Sequence, residues 1–143
     1  MAGVLTDASK GTTVDRMVTP GISARRILVV DDDPLVCDSI RRMLAVDGHV
    51  VETAISGEQA LALFAIGKFD VVLTDYGRPV MKGDKLAAAI KARVPNQPIG
   101  MFTGYAEAMQ PSDHPLPGVD LVISKPFGLD ELRQAITKLL TKP

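Results

Sequence analysis

The sequence predicts an α/β domain in which helices cover both faces of a five-stranded parallel sheet. Five short runs that are rich in apolar and β-branched residues alternate with stretches of helical periodicity. The runs are apolar on both faces, which is typical of parallel strands that lie beneath helices. Strands and helices that alternate in this way build a three-layer sandwich with right-handed crossovers.

The composition indicates a soluble globular protein with a single domain. The 143 residues suit one domain, and 46% hydrophobic with 23% charged residues is typical of a soluble globular chain. The formal net charge of -1 gives no basic excess for nucleic acid, and the single cysteine, Cys37, fits a reducing compartment. No apolar stretch approaches the roughly 20 residues that span a bilayer, and no signal-peptide core is present. We therefore expect a cytoplasmic protein without a membrane or nucleic-acid partner.

The first βα unit follows an N-terminal segment that shows no sustained periodicity. Residues 1–24 predict a flexible tail, and residues 25–143 the folded domain. Residues 27–30 form the first predicted strand. Asp33 followed by Pro34 is a favoured helix start, with Asp as the N-cap. The helix then carries an apolar stripe at Val36, Ile40, Met43 and Leu44.

The second and third units are delimited by capping and breaking residues. After a strand over residues 50–54, Ser56 with Gln59 predicts a capping box and a helix that reaches about Ala65. After a strand over residues 71–74, the third helix begins at Lys82 or Gly83. It ends at Arg93, because Pro95 follows.

The fourth unit is irregular. Its strand covers residues 99–102, but prolines at 111, 115 and 117 follow, and each would cost roughly 3 kcal/mol inside a helix. We predict a fourth helix of one or two turns at most. A strand over residues 121–124 and a final amphipathic helix complete the domain. The apolar stripe of that helix is Leu132, Ala135, Ile136, Leu139 and Leu140.

Four of the five runs end in side chains that carry chemistry. In chain order these residues are Asp31, Asp32 and Asp33, then Asp75, Thr103 and Lys125. The carboxyl ends of parallel strands share one edge of a sheet, where ligands bind in open α/β folds. In the flavodoxin-like strand order 2-1-3-4-5 that we expect, the first and third strands are neighbours, so Asp31 and Asp32 would face Asp75.

Each of these side chains also has a purely structural explanation. Asp33 is best explained as a helix cap, and Asp75, followed by Gly77, is a common turn residue. Against this, neighbouring carboxylates are explained by a hard cation such as Mg²⁺, which takes one or two carboxylates, waters and substrate phosphate. A hydroxyl and an ammonium on the same edge are what phosphoryl transfer requires. Taken alone, Asp33 and Asp75 favour the structural explanation, whereas Asp31 and Asp32 leave both explanations open.

Together these segments resemble the receiver domain of two-component response regulators. The resemblance covers about Arg26 to Leu140 and is carried by four motifs in the family's order: ILVVDDDP from Ile27, DYGRPVMKG from Asp75, TG at Thr103 and KPF at Lys125. It implies that Asp75 accepts a phosphoryl group from a phosphohistidine of a sensor histidine kinase or a histidine phosphotransfer protein. Thr103 and Lys125 would contact that group, and the Lys125-Pro126 peptide would be cis.

The resemblance also implies a cofactor and a mode of action. Mg²⁺ would be bound by Asp32, Asp75 and the backbone carbonyl of Gly77, with Asp31 acting through water. The protein would be a substrate and a switch rather than a turnover enzyme. The last predicted helix ends near the end of the sequence, so we expect a stand-alone receiver that docks a protein target or relays phosphate, similar to receivers of hybrid histidine kinases. One departure is Val122, where the family usually has an aromatic residue.

Two other functions are compatible with the sequence. A degenerate receiver would keep the fold and act as a binding module without accepting phosphate. Alternatively, the D-x-D spacing of Asp31 and Asp33 is that of haloacid-dehalogenase-type phosphatases, in which Asp31 would be the nucleophile and Asp33 the acid/base. The residue that becomes phosphorylated separates these functions.

Overall fold

The computed structural model describes residues 24–76, 83–104 and 118–141. Within these ranges, five strands and four helices follow one another along the chain. Their bounds are β1 Arg26–Val30, α1 Pro34–Ala45, β2 Val50–Ala54, α2 Gly57–Ile66, β3 Val71–Asp75, α3 Gly83–Arg93, β4 Ile99–Thr103, β5 Leu121–Ser124 and α4 Leu129–Leu140. None of these helices is long and apolar enough to cross a membrane.

The strands form one parallel sheet in the order β2-β1-β3-β4-β5. The predicted flavodoxin-like fold class and strand order are therefore confirmed. From β1 the chain first adds β2 on one side and then adds β3, β4 and β5 on the other side. The switch-point crevice therefore lies between the carboxyl ends of β1 and β3. The predictions of a short fourth helix, over residues 105–117, and of a flexible tail, over residues 1–23, lie outside the described residues.

Successive residues of the central strands pack on opposite faces of the sheet, as the twofold period of a strand requires. In β1, Ile27 and Val29 face the layer formed by α1 and α4, whereas Leu28 and Val30 face α2 and α3. All four side chains are fully buried. Burial of these apolar side chains against the helices stabilises the sheet and fixes the position of its carboxyl edge.

The expectation that every strand is buried on both faces is wrong for the two edge strands. Strands β1, β3 and β4 are almost entirely buried. In contrast, Val50 of β2 is 58% exposed and Val122 of β5 is 49% exposed. Apolar composition alone does not reveal which strand lies at an edge, because edge position depends on pairing between distant segments.

The predicted helix caps are present. Asp33 Oδ1 accepts a hydrogen bond from Leu35 N–H at 2.9 Å, and Ser56 Oγ accepts one from Gln59 N–H at 3.0 Å. The capping box at α2 is shifted by one residue, because Gln59 Oε1 accepts from Ile55 N–H at 2.7 Å instead of from the cap residue itself. Either arrangement satisfies a main-chain donor at the helix start.

Candidate functional site

The polar strand ends lie along the carboxyl edge of the sheet. Asp31 directly follows β1, Asp75 is the last residue of β3, Thr103 is the last residue of β4, and Lys125 directly follows β5. Lys125 Nζ is 2.6 Å from Asp75 Oδ1 and 3.7 Å from Asp31 Oδ2. The Lys125 ammonium therefore bridges carboxylates from two neighbouring strands, across the switch-point crevice.

Asp31 is a buried carboxylate with one unsatisfied oxygen. Its residue is only 3% exposed, and Oδ1 accepts a hydrogen bond from Asp33 N–H at 2.9 Å. Its Oδ2 has no hydrogen-bond partner among the described residues. Burial raises the pKa of Asp31, and the negative charges of Asp75 and Asp32 raise it further, against the opposing effects of Asp33 N–H and Lys125. Among the described residues, the carboxylates of Asp31, Asp32 and Asp75 thus share the site with the Lys125 ammonium.

Lys125 is held in its charged form. Burial alone would lower its pKa, but the hydrogen bond to Asp75 and the charges of Asp75 and Asp31 give a net increase. Its main-chain N–H donates to Thr103 O at 2.8 Å, which continues the β4–β5 pairing beyond the strand. The Lys125-Pro126 peptide bond is cis, as the resemblance implies.

Thr103 contributes a buried hydroxyl without a hydrogen-bond partner among the described residues. The residue is 4% exposed, and its Oγ1 is one of three such atoms there, along with Asp31 Oδ2 and Arg25 Nε. An unsatisfied buried polar group costs about 1–3 kcal/mol, and such groups call for a specific explanation. Two of the three lie at the carboxyl edge of the sheet, where a ligand with oxygen atoms and a cation would satisfy both.

Of the remaining predicted site residues, two are exposed at the end of β1 and one lies outside the described residues. Asp32 is exposed, beside Asp31 at the end of β1. Asp33 is exposed and engaged in capping α1, which does not match the acid/base role of the phosphatase alternative. Gly77, the predicted carbonyl ligand, lies outside the described residues.

Magnesium fits this donor set better than a metal that needs three protein ligands. Within residues 24–76, 83–104 and 118–141, no group of three or more His, Cys, Asp and Glu side chains is arranged to hold a metal ion. Mg²⁺ requires only one or two carboxylates and completes its shell with water and phosphate oxygens. The unsatisfied Asp31 Oδ2 and the neighbouring exposed Asp32 are donors of that kind.

Two further contacts at the site were not predicted from the sequence. The Phe102 and Phe127 rings stack with centroids 4.9 Å apart. Cys37 is buried, and its Sγ donates to the main-chain oxygen of Asp31 at 3.3 Å. Burial and the nearby charge of Asp31 raise the pKa of the Cys37 thiol, which keeps it protonated. The KPF motif contained Phe127, but nothing local to that motif indicates its partner in β4.

An apolar cleft opens beside Lys125. It has a volume of about 380 Å³ and lies between the start of α1 and the loop that follows β5. Leu35, at one side of the cleft, is 77% exposed, and Phe127 lines the other side. The cleft therefore presents an apolar surface directly beside the charged residues of the site.

Sequence comparison finds a match over most of the folded chain. The family model of the response regulator receiver domain matches residues 27–137. Response regulator MprA of Mycolicibacterium vanbaalenii is 34% identical over 117 residues, which cover 82% of this chain and 51% of that protein. Response regulator MprA of Mycobacterium avium is 34% identical over 120 residues, covering 82% and 53%. The chain thus spans about half the length of the curated relatives it matches.

Solved structures agree with the fold. Response regulator protein TrrA from Thermotoga maritima, in complex with Mg²⁺ and BeF, is 34% identical with a TM-score of 0.74, over 81% of this chain and 99% of that one. A response regulator receiver domain protein from Clostridium thermocellum is 28% identical with a TM-score of 0.70, over 83% and 94% of the two chains. Both similarities cover more than four fifths of this chain.

Proposed function

The chain belongs to the response regulator receiver domain family, and from that premise we propose that it is a phosphorylation switch whose acceptor is Asp75. A carboxylate oxygen of Asp75 attacks the phosphorus atom of a phosphohistidine. The oxygen–phosphorus bond forms as the phosphorus–nitrogen bond breaks, and the imidazole leaves with the bonding electron pair and takes up a proton. The product is an acyl phosphate on Asp75.

The contact between Lys125 Nζ and Asp75 Oδ1, at 2.6 Å, is the observation that carries this proposal. Transfer to a carboxylate places negative charge on the phosphoryl oxygens, and catalysis depends on fixed donors and cations around them. Lys125 is such a cation at the acceptor itself. Thr103 Oγ1, which has no hydrogen-bond partner within the described ranges, supplies a hydroxyl donor on the next strand.

We propose that Asp31, Asp32 and Asp75, with the backbone carbonyl of Gly77, hold Mg²⁺, and that Asp31 does so through water. Bound Mg²⁺ neutralises negative charge that develops on the transferred group. Burial raises the pKa of Asp31, and its Oδ2 has no hydrogen-bond partner among the described residues. Both observations support this assignment, because a bound cation would stabilise the ionised carboxylate.

The phosphoryl donor in this proposal is a sensor histidine kinase or a histidine phosphotransfer protein in the cytoplasm. The cleft beside Lys125, lined by Leu35 and Phe127, supports a protein donor, because it gives a partner an apolar surface next to the acceptor. The output is the docking of a target protein or onward transfer of the phosphoryl group. The chain is then a switch that is itself modified, not a turnover enzyme.

Incubation with acetyl phosphate and Mg²⁺, followed by intact mass measurement, tests the proposal. We expect one phosphoryl group per chain, which requires Mg²⁺ and disappears in Asp75→Asn. Borohydride reduction and peptide mapping then identify the modified residue. A label on Asp31 would favour the phosphatase alternative, and an unmodified chain with both acetyl phosphate and a phosphohistidine donor would favour the degenerate receiver. The matched control is Asp33→Asn, which preserves the cap of α1.

A further inference from the structure

Two aromatic rings tie the end of β4 to the loop that follows β5. The rings of Phe102 and Phe127 stack with centroids 4.9 Å apart and an interplanar angle of 13°. Phe102 is fully buried in the layer beneath α1 and α4, and the half-buried Phe127 packs against that layer. In sequence, Phe102 directly precedes Thr103, and Phe127 lies two residues after Lys125. The ring pair thus adjoins both residues that we propose contact the phosphoryl group.

Main-chain hydrogen bonds connect the same strand ends. Phe102 O accepts from Tyr76 N–H at 3.0 Å, which links β4 to the end of β3, beside Asp75. Thr103 O accepts from Lys125 N–H at 2.8 Å, which links β4 to the end of β5. Beyond Lys125 the chain leaves the sheet to enter α4, and the Phe127 ring brings this loop back against the core.

We infer that Phe127 is a positioning residue whose ring, seated on Phe102, fixes the loop so that the Lys125 ammonium reaches Asp75. This inference rests on the proposed function of Asp75. A lysine side chain has four flexible carbon–carbon bonds and 33% of this one is exposed, so its main chain must be fixed if Nζ is to stay at 2.6 Å from a carboxylate oxygen. A misplacement of about 1 Å at a reacting centre can cost roughly 10²-fold in rate.

Phe127→Leu tests this role, because leucine keeps an apolar side chain but removes the stacked ring. We expect phosphorylation by acetyl phosphate and Mg²⁺ to slow by roughly 10-fold, within the range that misplacement produces. Phe127→Tyr keeps the ring and should restore the wild-type rate. Phe64→Leu is the matched control: Phe64 stacks with Phe69 at 6.5 Å and 17° in the opposite core layer, away from Lys125. It should lower stability without slowing phosphorylation.

A double-mutant cycle separates positioning from a general loss of packing. If Phe127 acts through Lys125, then Phe127→Leu will cause no further loss of rate in a Lys125→Ala background. An additive loss would overturn the inference, because independent effects add. A second measurement does not depend on phosphorylation: the NMR signal of the Lys125 Nζ protons, protected by the bond to Asp75, should persist in Phe64→Leu and vanish in Phe127→Leu.

The outcomes distinguish this inference from the proposed function. If the wild-type chain takes up phosphate and Phe127→Leu matches Phe64→Leu in rate and in the ammonium signal, the positioning role is wrong and Asp75 remains the acceptor. If the wild-type chain takes up no phosphate, the proposed function fails, and the ammonium signal alone decides whether Phe127 positions Lys125.

Discussion

Replacing Asp31 by asparagine should stabilise the metal-free protein. Asparagine has nearly the same shape, and its Oδ1 can still accept the hydrogen bond that Asp33 N–H donates at 2.9 Å. The substitution removes a negative charge from a residue that is only 3% exposed. In the wild type, Asp31 Oδ2 lies 3.7 Å from Lys125 Nζ. The substitution replaces this oxygen by an uncharged amide group, so the attraction to the ammonium is lost at the same time.

The balance of these effects follows from the direction of the pKa of Asp31. Burial is the largest influence, and repulsion from Asp75 and Asp32 adds to it, so the pKa is raised in spite of Lys125 and Asp33 N–H. The folded state therefore disfavours the ionised carboxylate. Single stabilising substitutions commonly add about 0.5–2 kcal/mol to the free energy of unfolding, and we expect Asp31→Asn to fall in this range. For a domain of this size, about 1 kcal/mol raises Tm by roughly 4 °C.

The pH dependence has a definite sign. The pKa of Asp31 is higher in the folded than in the unfolded protein, so the native state binds the proton more tightly. Wild-type stability therefore falls as pH rises from the unfolded-state pKa to the folded-state pKa. The advantage of Asp31→Asn is fully present above the folded pKa. It disappears as pH falls below the unfolded value of about 3.9.

Urea and thermal denaturation in EDTA, across this pH range, measure the effect. Asp33→Asn is the matched control, because Asp33 is exposed and asparagine is an equally good N-cap, so its stability should be near that of the wild type. If Asp31→Asn were less stable than the wild type at neutral pH, attraction to Lys125 would outweigh the cost of burying the carboxylate, which contradicts the predicted stabilisation.

Two further predictions concern the metal and the core. Mg²⁺ should stabilise the EDTA-treated wild-type protein by about 2.7 kcal/mol at a concentration 100-fold above its Kd. In scanning calorimetry, Asp32→Ala should lose most of this stabilisation. If the variant is stabilised by Mg²⁺ as much as the wild type, the metal binds elsewhere. Gly100→Ala should cost about 1–3 kcal/mol of unfolding free energy, because its new Cβ would lie 2.9 Å from Leu73 Cδ2 and 3.1 Å from Leu139 Cδ1. An unchanged urea midpoint would show that these leucine side chains move aside without cost.

Much of the fold was predictable because it is determined locally. The starts of α1 and α2 depend on Asp33 and Ser56, whose side chains bond main-chain groups two and three residues away. The edge strands were not predictable in the same way. Val122 belongs to an apolar run like those of the central strands, whereas the run of Val50 also contains Glu52 and Thr53. The exposure of both valines follows from the pairing order of distant segments.

In the site, too, some features could be predicted from the sequence and others depend on packing between distant residues. The convergence of Asp31, Asp75 and Lys125 follows from one rule, that the carboxyl ends of parallel strands share an edge. The stack between Phe102 and Phe127 does not follow from it, because ring contacts depend on packing between residues far apart in the sequence. Nothing in the sequence indicated either that Asp31 Oδ2 would be buried without a hydrogen-bond partner among the described residues, since burial of a single atom depends on all neighbouring side chains.

If Asp75 is the acceptor, as proposed above, Lys125 is one group among the described residues through which its phosphorylation can reach the rest of the domain. Its ammonium lies between two carboxylates, while its main chain is fixed to Thr103. A phosphoryl group on Asp75 would draw the ammonium away from Asp31, which would then depend on the metal ion for neutralisation. Val122 carries no ring that could rotate in response. Within the described part of the chain, the loop from Lys125 to Phe127 lines the cleft against α1 and is therefore placed to transmit the proposed phosphorylation of Asp75.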